Sequence, residues 1–304
     1  MRRIIVWIRK GTEGLVMRKF CIIANSFKDN ELELSNKIKN RIIANGGTCV
    51  IITKGISQER EHVDYTRRII NSEPGIECAI VVGGDGTILQ ATKDLYGYDI
   101  PIVGINLGNV GFLAEVEVDK VDEAIDRLIK DNYDIQDRVM LTGKIIRDEE
   151  VVCIDTALND IVIGRYGISR VMTMEASVND ELINTYNGDG LIVATPTGTT
   201  GYNLSAGGPI AKPDAKLLML TPICVHSLYN RSIVVSAEDK ITIRLLEGKR
   251  CQSEEAMATF DGRVGFKLMA NDLIEISQSD RMTRLIKLED KQFFDIIRDK
   301  IESK

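Results

Sequence analysis

Apolar positions along the chain follow two rhythms, and the change between them divides it. Phe20 to Ala24 is a short apolar run, after which Leu32, Leu34, Ile38, Ile42 and Ile43 recur at near-helical spacing until Gly46-Gly47 stops the pattern. Cys49 to Ile52 is the next run, Val63 to Ile70 has helical spacing, and Ala79 to Val82 is a β-branched run that ends in Gly83-Gly84. A helical stretch from Ile88 to Leu95 and a strand from Ile102 to Ile105 follow. Strands alternating with helices predict an α/β domain with a Rossmann-like parallel sheet, which binds ligands at the carboxyl ends of its strands.

From about Arg138 the segments become short and β-rich: Thr142 to Ile146, Ala157 to Ile163, Met172 to Val178, Leu191 to Thr195, Ile241 to Leu246 and Leu273 to Ile276. Asn179-Asp180, Asp261-Gly262 and Asn271-Asp272 punctuate them as turn signals. This half is expected to be all-β and sandwich-like. Phe293, Phe294, Ile297 and Ile301 then repeat at helical spacing, predicting a C-terminal helix that packs back on the first domain. The expected division is a 1–16 extension, an α/β domain over 17–137, a β-rich domain over 138–288 and the helix over 289–304. The extension is inferred because Met17 opens a basic pair followed by a strand-like run, as many α/β domains do.

Composition narrows the chemistry. With 44% apolar and 28% charged residues the chain reads as an ordinary globular protein. A net charge of −6, with no local run of Lys or Arg, argues against nucleic-acid and anionic-lipid partners. A phosphate site must therefore use backbone N–H groups, a metal ion or a few placed cations. Six scattered cysteines without a CxxC pair suit a reducing compartment, hence the cytoplasm. Two histidines leave little material for a His-rich zinc site or a Ser-His-Asp triad, so no protein-held metal site is expected and the chemistry falls to carboxylates. No signal peptide and no apolar stretch near ~20 residues is present.

Two loops stand out. Gly83-Gly84-Asp85-Gly86-Thr87 follows a buried-type strand and opens a helix. Its glycines let phosphate oxygens approach backbone N–H groups, and the helix N-terminus adds partial positive charge. Asp85 would repel a phosphate, which points to a metal bridge or a general base for a hydroxyl; the plainer reading is a helix cap. Neither a Walker A loop nor a full GxGxxG fingerprint is present, since Leu89 stands where the third glycine belongs. The second loop runs from Gly188-Asp189-Gly190 through Thr195-Pro196-Thr197-Gly198-Thr199-Thr200-Gly201-Tyr202-Asn203-Leu204-Ser205 to Gly207-Gly208-Pro209. Its hydroxyls and amides suit hydrogen bonding to ribose and phosphate, and no adjacent base would activate them, so it reads as a binding element. Asn159-Asp160 sits within a strand-like run, where neighbours face opposite ways. His226 reads as structural, and Asp261-Gly262 as a hairpin turn.

Gly83 to Thr87 is shared by a kinase superfamily that includes NAD kinases, diacylglycerol and sphingosine kinases and 6-phosphofructokinases. Taken with Asn159-Asp160, Asp189, Thr195 to Tyr202, Thr221-Pro222-Ile223-Cys224 and Thr283 to Ile286, the chain after Met17 resembles the NAD kinases. The resemblance implies transfer of the ATP γ-phosphoryl group to the adenosine 2′-hydroxyl of NAD, with magnesium on the phosphates. It implies that Asp85 is the base, that Gly83, Gly84, Gly86 and Thr87 form the phosphate loop, and that a homodimer or homotetramer is the usual assembly. Asn159, Asp160, Arg170, Asn187, Asp189, Thr200, Gly201, Tyr202, Asn203, Leu204, Ser205, Cys224 and Arg263 are the corresponding NAD-site residues. Gly201, Val225, Gln90 and Arg263 depart from residues common in the family, and Arg263 could add a cation that alters preference between NAD and NADH. The alternatives are a lipid kinase with the same glycine motif and a dinucleotide sensor without turnover.

Overall fold

The computed structural model describes residues 17–54, 59–108, 111–166, 171–226, 230–247, 256–263, 265–288 and 292–302. Two units emerge, one holding the chain up to Asp137 and again from Thr283, the other spanning Arg138–Met282. The first contains β1 (Lys19–Asn25), α1 (Glu33–Ala44), β2 (Thr48–Lys54), α2 (Glu59–Ser72), β3 (Cys78–Gly83), α3 (Asp85–Asp94), β4 (Ile102–Asn106), α4 (Val121–Ile129) and β5 (Asp134–Arg138). The second contains β6 (Leu141–Arg147), β7 (Glu150–Ala157), β8 (Asp160–Arg165), β9 (Met172–Val178), β10 (Glu181–Gly188), β11 (Gly190–Ala194), α5 (Tyr202–Ser205), β12 (Leu217–Ile223), β13 (Ile233–Ser236), β14 (Ile241–Leu245), β15 (Ala256–Phe260), β16 (Phe266–Leu268) and β17 (Leu273–Gln278). The chain then returns to the first unit through β18 (Thr283–Lys287) and α6 (Phe293–Glu302).

In the first unit the sheet order is β2-β1-β3-β4-β18-β5, and the pairings among β2, β1, β3, β4 and β18 are parallel. Every residue of β3 and β4 is buried, which is why both read as unbroken apolar runs. In α1, Leu34, Ile38 and Ile42 supply the buried stripe, and Val121, Ala124, Ile125 and Leu128 do the same for α4. The winding reverses at β1, because β2 lies on one side of it and β3 on the other. The loops after β1 and β3 therefore flank the point where a doubly wound sheet opens a crevice at its carboxyl edge.

The second unit is a sandwich of two antiparallel sheets, β10-β9-β14-β17-β6-β7 and β13-β12-β11-β8-β15-β16. One core lies between them, and it takes alternate residues: Ile161 and Ile163, Leu191 and Val193, Leu218 and Leu220. The intervening Val162, Ile192, Ala194 and Met219 join Ala211 in a smaller cluster on the outer face. Strands β8, β11 and β12 are thus covered on both sides.

Two details differ from the sequence-based expectation. Ala157 to Ile163 is not one strand, because the chain breaks at Leu158-Asn159 between β7 and β8. The return to the first unit falls at Thr283 rather than 289, since Leu285 pairs with Ile102 in the parallel sheet. A five-residue strand such as Thr283–Lys287 reads the same for either sheet; only tertiary pairing assigns it. In α6 no described side chain is fully buried, and Phe294 is 62% exposed. The expected 1–16 extension, Arg170 and Cys251 lie outside the described residues.

Candidate active site

Gly84, in extended conformation, precedes α3, and no side chain caps that helix. The N–H groups of Thr87 and Ile88 both donate to the Gly84 carbonyl, at 2.8 and 3.2 Å. Those of Asp85 and Gly86 meet no acceptor among the described residues, leaving two amide donors at a positive helix end. Gly83 is obligatory for packing, because a Cβ there would lie 2.7 Å from Thr87 Cβ. Gly86 is open, with nothing within 4 Å of where its Cβ would stand. Asn25, the last residue of β1, donates from Nδ2 to Thr87 Oγ1 at 3.4 Å and ties the two loops together.

Asp85 does not cap its own helix. Its Oδ2 accepts the N–H of Phe112 at 2.7 Å, and its Oδ1 accepts those of Leu113 and Ala114, each at 3.1 Å. The segment after β4 was not singled out from sequence, although Gly104, Gly108 and Gly111 within eight residues were a signal. Gly104 lets Ile88 and Ala114 close in, and a Cβ on Gly111 would overlap the Asp85 carboxylate. A carboxylate offers about four lone-pair positions. Three are used here, and the one left is on Oδ2. At the end of β4, Asn106 is buried, donates from Nδ2 to the Gly108 carbonyl, and holds an Oδ1 with no donor among the described residues. Gln90 is buried and donates to Asp94 at 2.7 Å, one turn along α3, so its departure from a basic residue is an interior pairing.

In the second unit Asp261 and Gly262 both take positive φ, 53° and 68°, between β15 and β16, the geometry of a tight hairpin turn. The Asp261 carboxylate accepts the N–H groups of Leu158, Asn159 and Asp160 at 2.9, 2.7 and 3.2 Å. Three consecutive N–H groups cannot converge on one acceptor from a strand, where they alternate; this contact breaks the chain between β7 and β8. Asp160 is buried beside Asp261, and burial first, then the Asp261 charge, pushes its carboxyl up to about 7. Burial also raises Asp261, opposed by its three amides and by the Arg263 cation.

The sequence-selected residues of this unit form two groups at opposite ends of β11. Register pairs Ala194 with Asp160, so Asn159, Asp160 and the loop from Thr195 share one end. Here Asn159 Oδ1 and Thr197 Oγ1 are buried without partners among the described residues, Thr200 donates to the Thr197 carbonyl at 3.2 Å, and Gly201 donates its N–H to the Gly198 carbonyl. Tyr202 and Leu204 are exposed, as is Ser205. Asn203 is fully buried and braces the loop: it accepts from Thr221 Oγ1 at 2.7 Å and donates to the Pro209 carbonyl at 3.0 Å. At the other end Asp189 meets Arg165 at 3.3 Å, exposed Asn187 accepts from Thr173 Oγ1, and Cys224 is exposed with φ at 45°. At ~3.3 Å per residue, the length of β11 separates the groups by roughly 20 Å.

An amide-lined glycine turn at the switch point of a doubly wound sheet, in a chain that also carries an antiparallel sandwich with a hydroxyl-rich loop, has the geometry of the phosphate-binding class of α/β proteins. The particular kind follows from comparison with known proteins. Residues 20–133 match the ATP-NAD kinase N-terminal domain and residues 158–288 the ATP-NAD kinase C-terminal domain. The NAD kinase of Lachnoclostridium phytofermentans is 43% identical over 290 residues, spanning 95% of this chain and 100% of that protein. That of Lachnospira eligens is 39% identical over 297 residues, spanning 94% and 100%. The chain belongs to the NAD kinase family, a family of ATP-dependent phosphotransferases. Its fold is that of a yeast NADH kinase solved with NADH (TM-score 0.78, 18% identity, 94% of this chain and 88% of that one). It is likewise that of an Archaeoglobus fulgidus NAD kinase solved with ATP (TM-score 0.72, 21% identity, 94% and 99%). Family membership favours the NAD kinase reading over a lipid kinase or a sensor.

Proposed function

We propose that this protein transfers the γ-phosphoryl group of ATP to the adenosine 2′-hydroxyl of NAD, forming NADP and ADP. The observation that carries the reading is Asp85, held by three amides beside an amide-lined glycine turn, with one lone pair of Oδ2 left over. The 2′-oxygen bonds to the γ-phosphorus as the bond from that phosphorus to the β,γ-bridging oxygen breaks. ADP leaves with the electron pair, and the hydroxyl proton passes to Asp85 Oδ2. Such transfers have loose transition states, so positioning the hydroxyl and neutralising phosphate charge are the protein's main tasks. Gly83, Gly84, Gly86 and Thr87 are assigned to the phosphates.

NAD contacts are assigned to Asn159, Asp160 and Thr200 to Ser205 at one end of β11, to Asn187, Asp189 and Cys224 at the other, and to Arg170 and Arg263. No group of three or more His, Cys, Asp or Glu converges among the described residues. A magnesium ion carried by the nucleotide would neutralise phosphate charge. We also assign a cytoplasmic location, supported by the free cysteines Cys21, Cys49, Cys78 and Cys224, and a homodimer or homotetramer. The test is purified protein with NAD, ATP and magnesium, with NADP read by an NADP-specific dehydrogenase. NAD binding by calorimetry without ATP-dependent NADP would overturn the reading.

A further inference from the structure

Resting on that reading, we propose that Lys28, in the loop after β1, is the cation that holds the terminal phosphates of the donor nucleotide above the glycine turn. Its Nζ lies 3.1 Å from where a Cβ on Gly84 would stand, so the ammonium rests against the glycine. Lys28 is exposed and forms no ion pair or side-chain hydrogen bond among the described residues. The carboxylate of the turn, Asp85, accepts the amides of Phe112, Leu113 and Ala114. An ammonium without a paired anion among the described residues, resting on the glycine that precedes α3, is a site for an external polyanion.

The backbone around Lys28 is built to keep it there. Asn25 Oδ1 accepts the N–H of Phe27 at 3.1 Å, and the Asn25 carbonyl accepts those of Lys28 and Asp29, both at 2.9 Å. On the other side buried Asp29 accepts the N–H groups of Leu34 and Ser35, each at 3.0 Å, and the Ser35 hydroxyl. The loop is thus pinned before and after the lysine, while only the flexible side chain is free. The loops after β1 and β3 flank the switch point of the sheet, so a ligand seated there meets both. In a chain of net charge −6, one placed lysine is how a local positive field can be made.

The test compares Lys28→Ala and Lys28→Arg with the unaltered protein, by steady-state kinetics and by calorimetry with ATP, AMP and inorganic tripolyphosphate. Lys28→Ala is expected to raise KM for ATP by about tenfold or more, to weaken tripolyphosphate binding similarly, and to leave KM for NAD and affinity for AMP within about twofold. Lys28→Arg should recover most of the loss. Unchanged ATP and tripolyphosphate binding in Lys28→Ala, with NADP still formed, overturns the role of Lys28 and leaves the kinase reading intact. Equal weakening of ATP and AMP overturns it too, as the signature of a disturbed loop. An unaltered protein that forms no NADP fails the kinase reading instead.

Discussion

Asp85 and Asp261 do the same thing in two unlike halves of the molecule: each gathers three consecutive backbone N–H groups from a distant loop. What differs is the surroundings. Asp261 sits in a hairpin turn with Arg263 acting on it and buried Asp160 alongside, so its carboxylate is enclosed by the fold it braces. Asp85 stands between Gly84 and open Gly86, beside a third glycine, Gly111, at the carboxyl edge of a parallel sheet. The amide contacts do not by themselves make a base; they hold a carboxylate still, and the glycines around one of the two leave a ligand room to reach it.

The comparison is broken most forcefully by Asp85→Asn. Turnover is expected to fall about 10²- to 10⁴-fold, with NAD affinity largely kept. Because the new amide must turn an NH₂ toward one of the three N–H groups, the melting temperature should fall as well. Turnover within twofold of the unaltered protein would make Asp85 a brace like Asp261. Gly111→Ala leaves the carboxylate in place chemically but pushes it out of its seat, and kcat should drop about 100-fold, as it does for small misplacements of reacting groups. Near-normal kcat there would show that the seat is not needed.

Asp261→Asn should act on the other side of the comparison. Stability should fall by about 1–3 kcal/mol, the cost of unmet backbone donors, with KM for NAD raised more than kcat is lowered. Denaturant melts and kinetics together decide it; a large loss of kcat at unchanged stability would erase the distinction between the two carboxylates.

The smallest effect belongs to Asp160. Its folded carboxyl titrates near 7, above its ordinary value of 3.8, so between these pH values the folded state binds more protons than the unfolded one. Stability is therefore lost as pH rises through that window. Asp160→Asn, which mimics the protonated form, should raise the melting temperature by about a few degrees at pH 8 and leave it nearly unchanged at pH 4. A melting temperature that falls at pH 8 would mean that the ionised form is the one the fold prefers.

Much of the fold was legible in residue order. Buried runs such as Ala79 to Val82, the helical stripe of Leu34, Ile38 and Ile42, and the glycine turn each announce themselves through periodicity or backbone freedom. The candidate site stands out in the sequence where side-chain chemistry is concentrated, at Gly83 to Thr87 and Thr195 to Ser205. It was not legible where a carboxylate meets backbone amides, because every residue but proline has an N–H and nothing in the letters marks those that converge. The Asp261-Gly262 turn could be read; its grip on residues 158–160, about a hundred positions away, could not. Nor could the spread of the NAD-site candidates over both ends of β11.

Local physics, then, is what the amino-acid order decided by itself: which segments are strands or helices, where the chain may bend through glycine, and which loops gather carboxylates, amides and hydroxyls. Tertiary structure decided which sheet Thr283 to Lys287 joins, which loops Asp85 and Asp261 hold, and that Lys28 rests on Gly84. The reason is that these are meetings between groups far apart along the chain, whose free energy depends on burial and hydrogen-bond geometry that exist only once the sheets have assembled.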